Sequence, residues 1–376
     1  MRKSIKLASV LLAISPCLTP YILFSGTDLG LFVLIIATLI VIGETNCFPI
    51  FRSLEVKFFI AVLALSVITL IGNIGSSWFS TKTFFNNFWA IGICFSALII
   101  VSPRVDVSSF KQTVLTVSIL ASLIVIYQRF QILVTGTFNR EFYLPFFQLA
   151  EDVAHVTRPS AFYKEPSHLA QYIMPAFYLA LLENKYFLSI LFCIAILSSG
   201  STTGFLLLPI VFFIWFTTNS KSKNHKILII IIIGATYLIF REFLGTLIDS
   251  NMEKVNDTEE GESNIRLLGG LAFFSYFSLS EKIAGIGFNQ LSNFFGARGD
   301  VSNYSNGFIF MAISYGYIGL SALLIYLVNV YRQYRPYLGF YLILIAVFCT
   351  SQVLFSITLL YLLTFCILGQ KINNYK

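Results

Sequence analysis

Charge is what this chain has least of. Asp, Glu, Lys and Arg make up 11% of its 376 residues, less than half of the roughly 25% carried by soluble globular domains. Apolar residues make up 57%. That balance excludes a soluble enzyme and points to an integral membrane protein. Metal-type cysteine spacing is also missing. None of Cys17, Cys47, Cys94, Cys193, Cys349 and Cys366 forms a C-x-x-C pair, and all but Cys47 lie in apolar runs, where cysteine behaves as a small core residue. There is no P-loop, no H-E-x-x-H, no Asp-x-Asp pair and no nucleophile elbow. If the chain is an enzyme, its substrate arrives already activated, and neither a nucleotide nor a metal is expected.

What is abundant is long apolar runs. A helix needs about 20 apolar residues to cross roughly 30 Å of hydrocarbon. Candidate spans fall near 7–24, 29–43, 57–73, 86–101, 113–133, 168–183, 186–199, 203–218, 226–243, 306–329, 337–350 and 352–369. This predicts an all-α polytopic protein of about twelve spans, a single integral membrane domain over 1–376. The first run follows Arg2, Lys3 and Lys6 without a small-x-small cleavage site, so it reads as a retained span. The 16% aromatic share suits a chain with many membrane–water boundaries.

The basic residues test this division. With both termini in the cytoplasm, the inner segments collect Arg2, Lys3, Lys6, Arg52, Lys57, Arg104, Lys111, Lys185, Lys221, Lys223, Lys226, Arg332, Arg335, Lys371 and Lys376, whereas the short outer loops hold only Lys82. Positive residues favour the inner side. The net charge of +7 is therefore explained by topology, without a nucleic-acid partner. Two loops stand out for length, 134–167 and 244–305, and both fall outside. Within the second, 251–263 is acidic and polar, a solvated loop or a flap over a ligand.

The stretch 158–172 packs Arg158, Lys164, Glu165 and His168 into eleven residues where the sixth span begins. Ionisable residues near a membrane are costly and point to function; the plainer alternative is an interfacial loop whose Arg and Lys reach lipid headgroups. Pro166 suits the first turn of a helix, with Glu165 or a neighbour as its cap, and Glu165, His168 and Gln171 then share one face. Arg266 enters an apolar stretch of the second large loop. It is either an interfacial anchor or the partner of Arg158, since two guanidinium groups from separate loops can hold a pyrophosphate bidentately. The run Ser198-Ser-Gly-Ser-Thr-Thr-Gly204 breaks 186–216, which as one helix would be about 47 Å long. It predicts a polar hairpin between two short spans, lining a cavity or packing helices closely. Gly285-x-Gly287 lacks the third glycine of a dinucleotide fingerprint.

In order and topology, Arg158-x-x-x-Phe162-x-x-Glu165-Pro166, the 198–204 hairpin, Arg266, Gly285-x-Gly287 and Asn306 with Gly316-x-x-Gly319 together resemble the O-antigen polymerase/ligase superfamily, in particular Wzy-type O-antigen and exopolysaccharide polymerases. The resemblance covers 158–319, the span count and the two large loops. It implies a metal-independent glycosyltransferase of the bacterial inner membrane, without cofactor. Its substrate would be an oligosaccharide on undecaprenyl pyrophosphate, embedded in membrane lipid, with a chain-length regulator and a flippase as candidate partners. On this resemblance Arg158, Arg266 and Lys164 bind the pyrophosphate, and Glu165 or His168 is the general base. Related ligases carry a His before the late-span Asn; here Ser305 precedes Asn306, which favours polymerase over ligase. A lipid-linked oligosaccharide flippase and a non-catalytic scaffold are the rivals from other classes.

Overall fold

The structure is a computed structural model that describes residues 3–24, 27–45, 53–138, 143–144, 146–149, 158–218, 269–296 and 306–374. The expected span 226–243, the acidic segment 251–263, Arg266 and residues 303–305 lie outside the described residues.

Helices account for 79% of the described residues. In chain order they are α1 (Lys3–Ile14), α2 (Leu29–Thr45), α3 (Leu54–Asn73), α4 (Thr81–Ile100), α5 (Val107–Thr135), α6 (Pro166–Leu182), α7 (Tyr186–Ser198), α8 (Thr202–Thr218), α9 (Leu279–Ala284), α10 (Leu291–Phe295), α11 (Gly307–Tyr334), α12 (Leu338–Thr350) and α13 (Ile357–Asn374). Among the described residues, four segments are long and apolar enough to cross a membrane: Leu54–Asn73, Thr81–Arg104, Val107–Thr135 and Gly307–Tyr334. Leu29–Thr45, Tyr186–Ser198, Thr202–Thr218, Leu338–Thr350 and Ile357–Gly369 are shorter apolar helices. The chain is thus a mostly helical, membrane-embedded protein. Large apolar side chains such as Ile71, Trp89 and Phe213 stay exposed on its flanks, as lipid-facing helices require.

The first expected span is shorter than the sequence suggests. After Ile14 the chain turns through a 3₁₀ segment, Ser15–Leu18, with Pro16 inside it, and then enters strand β1 (Tyr21–Phe24). Proline has no N–H to continue the α-helical ladder, so the apolar run 7–24 is divided. β1 pairs antiparallel with β2 (Thr27–Asp28) and with β3 (Gln148–Leu149), in register Ile22↔Asp28 and Tyr21↔Leu149. Strands were not expected in this apolar chain. The sheet is small, yet it ties the short 21–28 hairpin to the first large loop.

Helix α11 is interrupted. Tyr315 and Gly316 leave helical geometry, Gly316 with φ 66° and ψ −167°. The break frees the Ile313 and Ser314 carbonyls to accept the N–H groups of Ile286 (3.0 Å) and Gly287 (2.9 Å), so these two carbonyls find partners away from the helix. Gly285 and Gly316 permit this approach. A Cβ on Gly285 would lie 2.3 Å from the Ser314 oxygen, and one on Gly316 would lie 2.0 Å from the Ile283 oxygen. Gly285-x-Gly287 is therefore a close-packing device. Around it Phe273, Phe277, Phe294 and Phe295 pack onto Ile309 and Ile313, so the described part of the second large loop clasps the first half of α11.

Candidate functional site

The charged stretch begins as an irregular segment that the bundle grips from behind. Gln128 of α5 is fully buried. Its Oε1 accepts the N–H groups of Ser160 (3.2 Å) and Ala161 (2.8 Å), and its Nε2 donates to the Ala161 carbonyl (3.2 Å). This grip helps hold Ala161 at φ 53°, a left-handed conformation that a residue with a Cβ adopts only when its surroundings impose it. The Tyr143 hydroxyl donates to the Tyr163 carbonyl at 3.0 Å, and the Tyr163 hydroxyl meets Cys17 Sγ at 3.2 Å.

Beneath the segment, Tyr172 stacks on Tyr361 with centroids 4.7 Å apart. Tyr172 donates to the Ala13 carbonyl at 2.9 Å, and Tyr361 donates to the Tyr172 carbonyl at 3.0 Å. Each of these buried rings thus has the hydroxyl partner it needs. With Ser160, Ala161 and Tyr163 committed inward, Arg158 and Glu165 are exposed and Lys164 is half-buried.

Pro166 opens α6 as the sequence predicts, and Glu165 occupies the cap position. The Glu165 carboxylate makes no capping bond to the helix backbone; it accepts the Ser167 hydroxyl at 3.1 Å. It therefore stays at the surface. His168 follows on the same face, half-buried. The predicted hairpin backs this first turn of α6. A Cβ on Gly204 would meet Ile196 Cγ2 at 2.6 Å and Ala170 Cβ at 3.0 Å. The Ser201 hydroxyl accepts the Gly204 N–H at 3.2 Å, and Thr203 Oγ1 meets Ser351 Oγ at 3.4 Å. Arg158, Lys164, Glu165 and His168 thus belong to one continuous element, with the hairpin beside it. The other half of the predicted pyrophosphate clamp, Arg266, lies outside the described residues.

Asp28 is a site residue that the sequence reading passed over. Its Oδ1 accepts the Leu31 N–H at 2.7 Å and caps α2. Burial pushes its carboxyl up to about 6; the Leu31 and Gly30 N–H groups and the nearby Lys164 charge pull the other way. Asp28 and Lys164 are thus electrostatic neighbours across 136 positions of sequence. An Asp immediately before an apolar run is an N-cap signal, but nothing local announces the lysine. Gln128 and Arg129 likewise sit together inside the apolar run of α5, a polar pair that membrane energetics flags.

The Asp28 pKa carries a stability prediction. A carboxyl with a folded pKa above its unfolded value favours folding only while protonated. Its contribution is complete below about pH 4 and is lost as pH rises through about 6. Asp28→Asn keeps an acceptor for Leu31 and removes the titration. From pH 5 to 7.5, wild type is therefore expected to lose stability relative to Asp28→Asn by about 1–1.5 kcal/mol. Melting curves of the detergent-solubilised pair check this, and parallel pH profiles would refute it.

Chemically, the element presents two cations, an exposed carboxylate and an imidazole beside a hydroxyl-rich turn. Such a surface suits a ligand that is both anionic and polyhydroxylated. No protein-family model matches the chain, and no characterised protein matches it in sequence.

Proposed function

We propose that this chain is a Wzy-type polysaccharide repeat-unit polymerase of the bacterial inner membrane. The observation that carries the reading is the segment 158–165, held from behind by Gln128, which exposes Arg158 and Glu165 beside the half-buried Lys164 and His168. In the proposed reaction, a hydroxyl at the non-reducing end of a new lipid-linked repeat attacks the anomeric carbon of the growing glycan. The new glycosidic C–O bond forms as the bond to undecaprenyl pyrophosphate breaks. The pyrophosphate leaves with the electron pair, and Glu165 or His168 takes the hydroxyl proton. Arg158 and Lys164, together with Arg266, stabilise the charge that builds on the leaving group. The leaving group supplies the activation, so the proposal needs no nucleotide or metal.

The orientation belongs to the same proposal. Segments that alternation puts in the cytoplasm touch one another: Lys111 and Lys185 both pair with Glu183, Tyr334 donates to Glu55, and Lys371 Nζ donates to the Pro103 carbonyl at 2.8 Å. Segments assigned to the periplasm do likewise: Ser80 N–H donates to Gln290 at 3.0 Å, and Thr203 meets Ser351. These contacts support the alternating arrangement, with both large loops outside.

One observation favours a second reading, a lipid-linked oligosaccharide flippase. Transporters use interrupted helices within the membrane, and α11 is interrupted. An O-antigen ligase is the rival within the superfamily. Deleting the gene and running the surface glycan on a gel separates them. Core bearing a single repeat is the expected result. Bare core with polymer on its carrier at the periplasmic face indicates a ligase, and repeat units trapped on the cytoplasmic leaflet indicate a flippase.

A further inference from the structure

Gln171 lies one turn below His168 on the same face of α6 and is 1% exposed. Its Oε1 has no hydrogen-bond partner among the described residues. Four residues on stands Pro175, which has no N–H to offer the Gln171 carbonyl. Two acceptor oxygens of one residue are therefore denied their ordinary donors at one depth. An unmet buried acceptor is expensive, and a buried polar group in that state asks for a donor that the protein itself does not supply.

Helical geometry says where the side chain points. Tyr178 follows Gln171 by seven residues, two turns along the same stripe. Its ring packs edge-on against Phe340, 5.0 Å between centroids, and against Gly339 of α12. The stripe therefore faces α12. At the other end of α12, Ser351 meets Thr203 of the hairpin. Gln171 thus lies on the stripe of α6 that faces α12, one turn below His168 and toward the end of α12 where Ser351 meets Thr203.

We propose that Gln171 is a specificity residue of this site, whose amide oxygen accepts a hydrogen bond from a sugar hydroxyl of the acceptor repeat. This rests on the polymerase reading, and it adds a hydroxyl-reading floor below the phosphate-binding rim. An acceptor sugar lacking that hydroxyl would leave the oxygen unmet and be rejected.

The test uses the full chain in detergent with two synthetic probes on short polyprenyl pyrophosphates. One is a repeat unit capped at its non-reducing end, so that it can only donate; the other is an uncapped repeat as acceptor. For Gln171→Met the acceptor KM is expected to rise about tenfold, the size of one hydrogen bond to a buried group, with the donor KM within about twofold. Its melting temperature should equal or exceed that of wild type, because an unmet acceptor has been replaced by an apolar side chain of similar length. A folded Gln171→Met with an unchanged acceptor KM overturns the inference, and the oxygen then faces an internal water only. Should Gln171→Met not fold, Gln171→Asn decides. It retains the amide but withdraws it by one methylene, and an unchanged acceptor KM again overturns the proposal. Wild type that makes no polymer from these probes sinks the polymerase reading itself, which is a different result from active wild type with an unaffected variant.

Discussion

Alanine at Gly316 is expected to prevent this protein from folding. Gly316 combines φ 66° with ψ −167°, a region that only glycine occupies readily. A methyl there would stand 2.0 Å from the Ile283 carbonyl oxygen. The neighbour is main chain, so it cannot swing aside, and moving it breaks the bonds from Ile286 and Gly287 that satisfy the interrupted helix. Strain, clash and lost hydrogen bonds together amount to about 3–5 kcal/mol or more, comparable with the whole stability of many domains. The measurement is monodispersity and melting temperature of Gly316→Ala after detergent extraction. Gly92→Ala is the control, since nothing lies within 4 Å of its added Cβ and helix propensity favours alanine by about 1 kcal/mol. A Gly316→Ala protein that melts with wild type would remove the joint from this account of the fold.

The second large effect is on activity. Arg158 is exposed, so Arg158→Ala should change stability by no more than about 0.5 kcal/mol. If Arg158 holds the pyrophosphate as its charge develops, the same change should slow glycan transfer by about 10²–10³-fold and collapse the ladder toward a single repeat. Arg158→Lys keeps the charge and loses the bidentate fork, so it should fall between the two. The readout is the glycan ladder in a deletion strain complemented with each variant, with membrane levels matched by immunoblot. A normal ladder from Arg158→Ala would end the pyrophosphate role.

The helices were legible because apolar runs of membrane length leave few alternatives. α2 to α8 and α11 to α13 each overlap the run that predicts them, with the starts of α4, α5 and α13 and the ends of α11 and α13 five or six residues away. Where the reading slipped, the cause was local chemistry inside an apolar run. Hydropathy does not register Pro16, yet Pro16 accompanies the end of α1 and the turn toward a sheet. The interruption of α11 was hidden for the opposite reason. Glycine at 316 looks like any packing glycine until the partner segment, some 30 residues earlier in sequence, is brought against it.

The site divides in the same way. The residues of 158–168 could be read together because they adjoin in sequence. Asp28 beside Lys164, and Gln128 gripping Ala161, are products of long-range packing. A local motif search has no access to them.

The tyrosine stack also sets a schedule. The ring behind the charged segment, Tyr361, belongs to α13, the last of the described helices. A ribosome delivers it after every other described helix, and chains fold from the N-terminus as they emerge. Arg158, Glu165 and His168 therefore enter the membrane long before their backing arrives. The segment can take its final shape only once the chain has been made through Tyr361, so premature termination between the end of α12 and Tyr361 would yield a protein with an unfinished site.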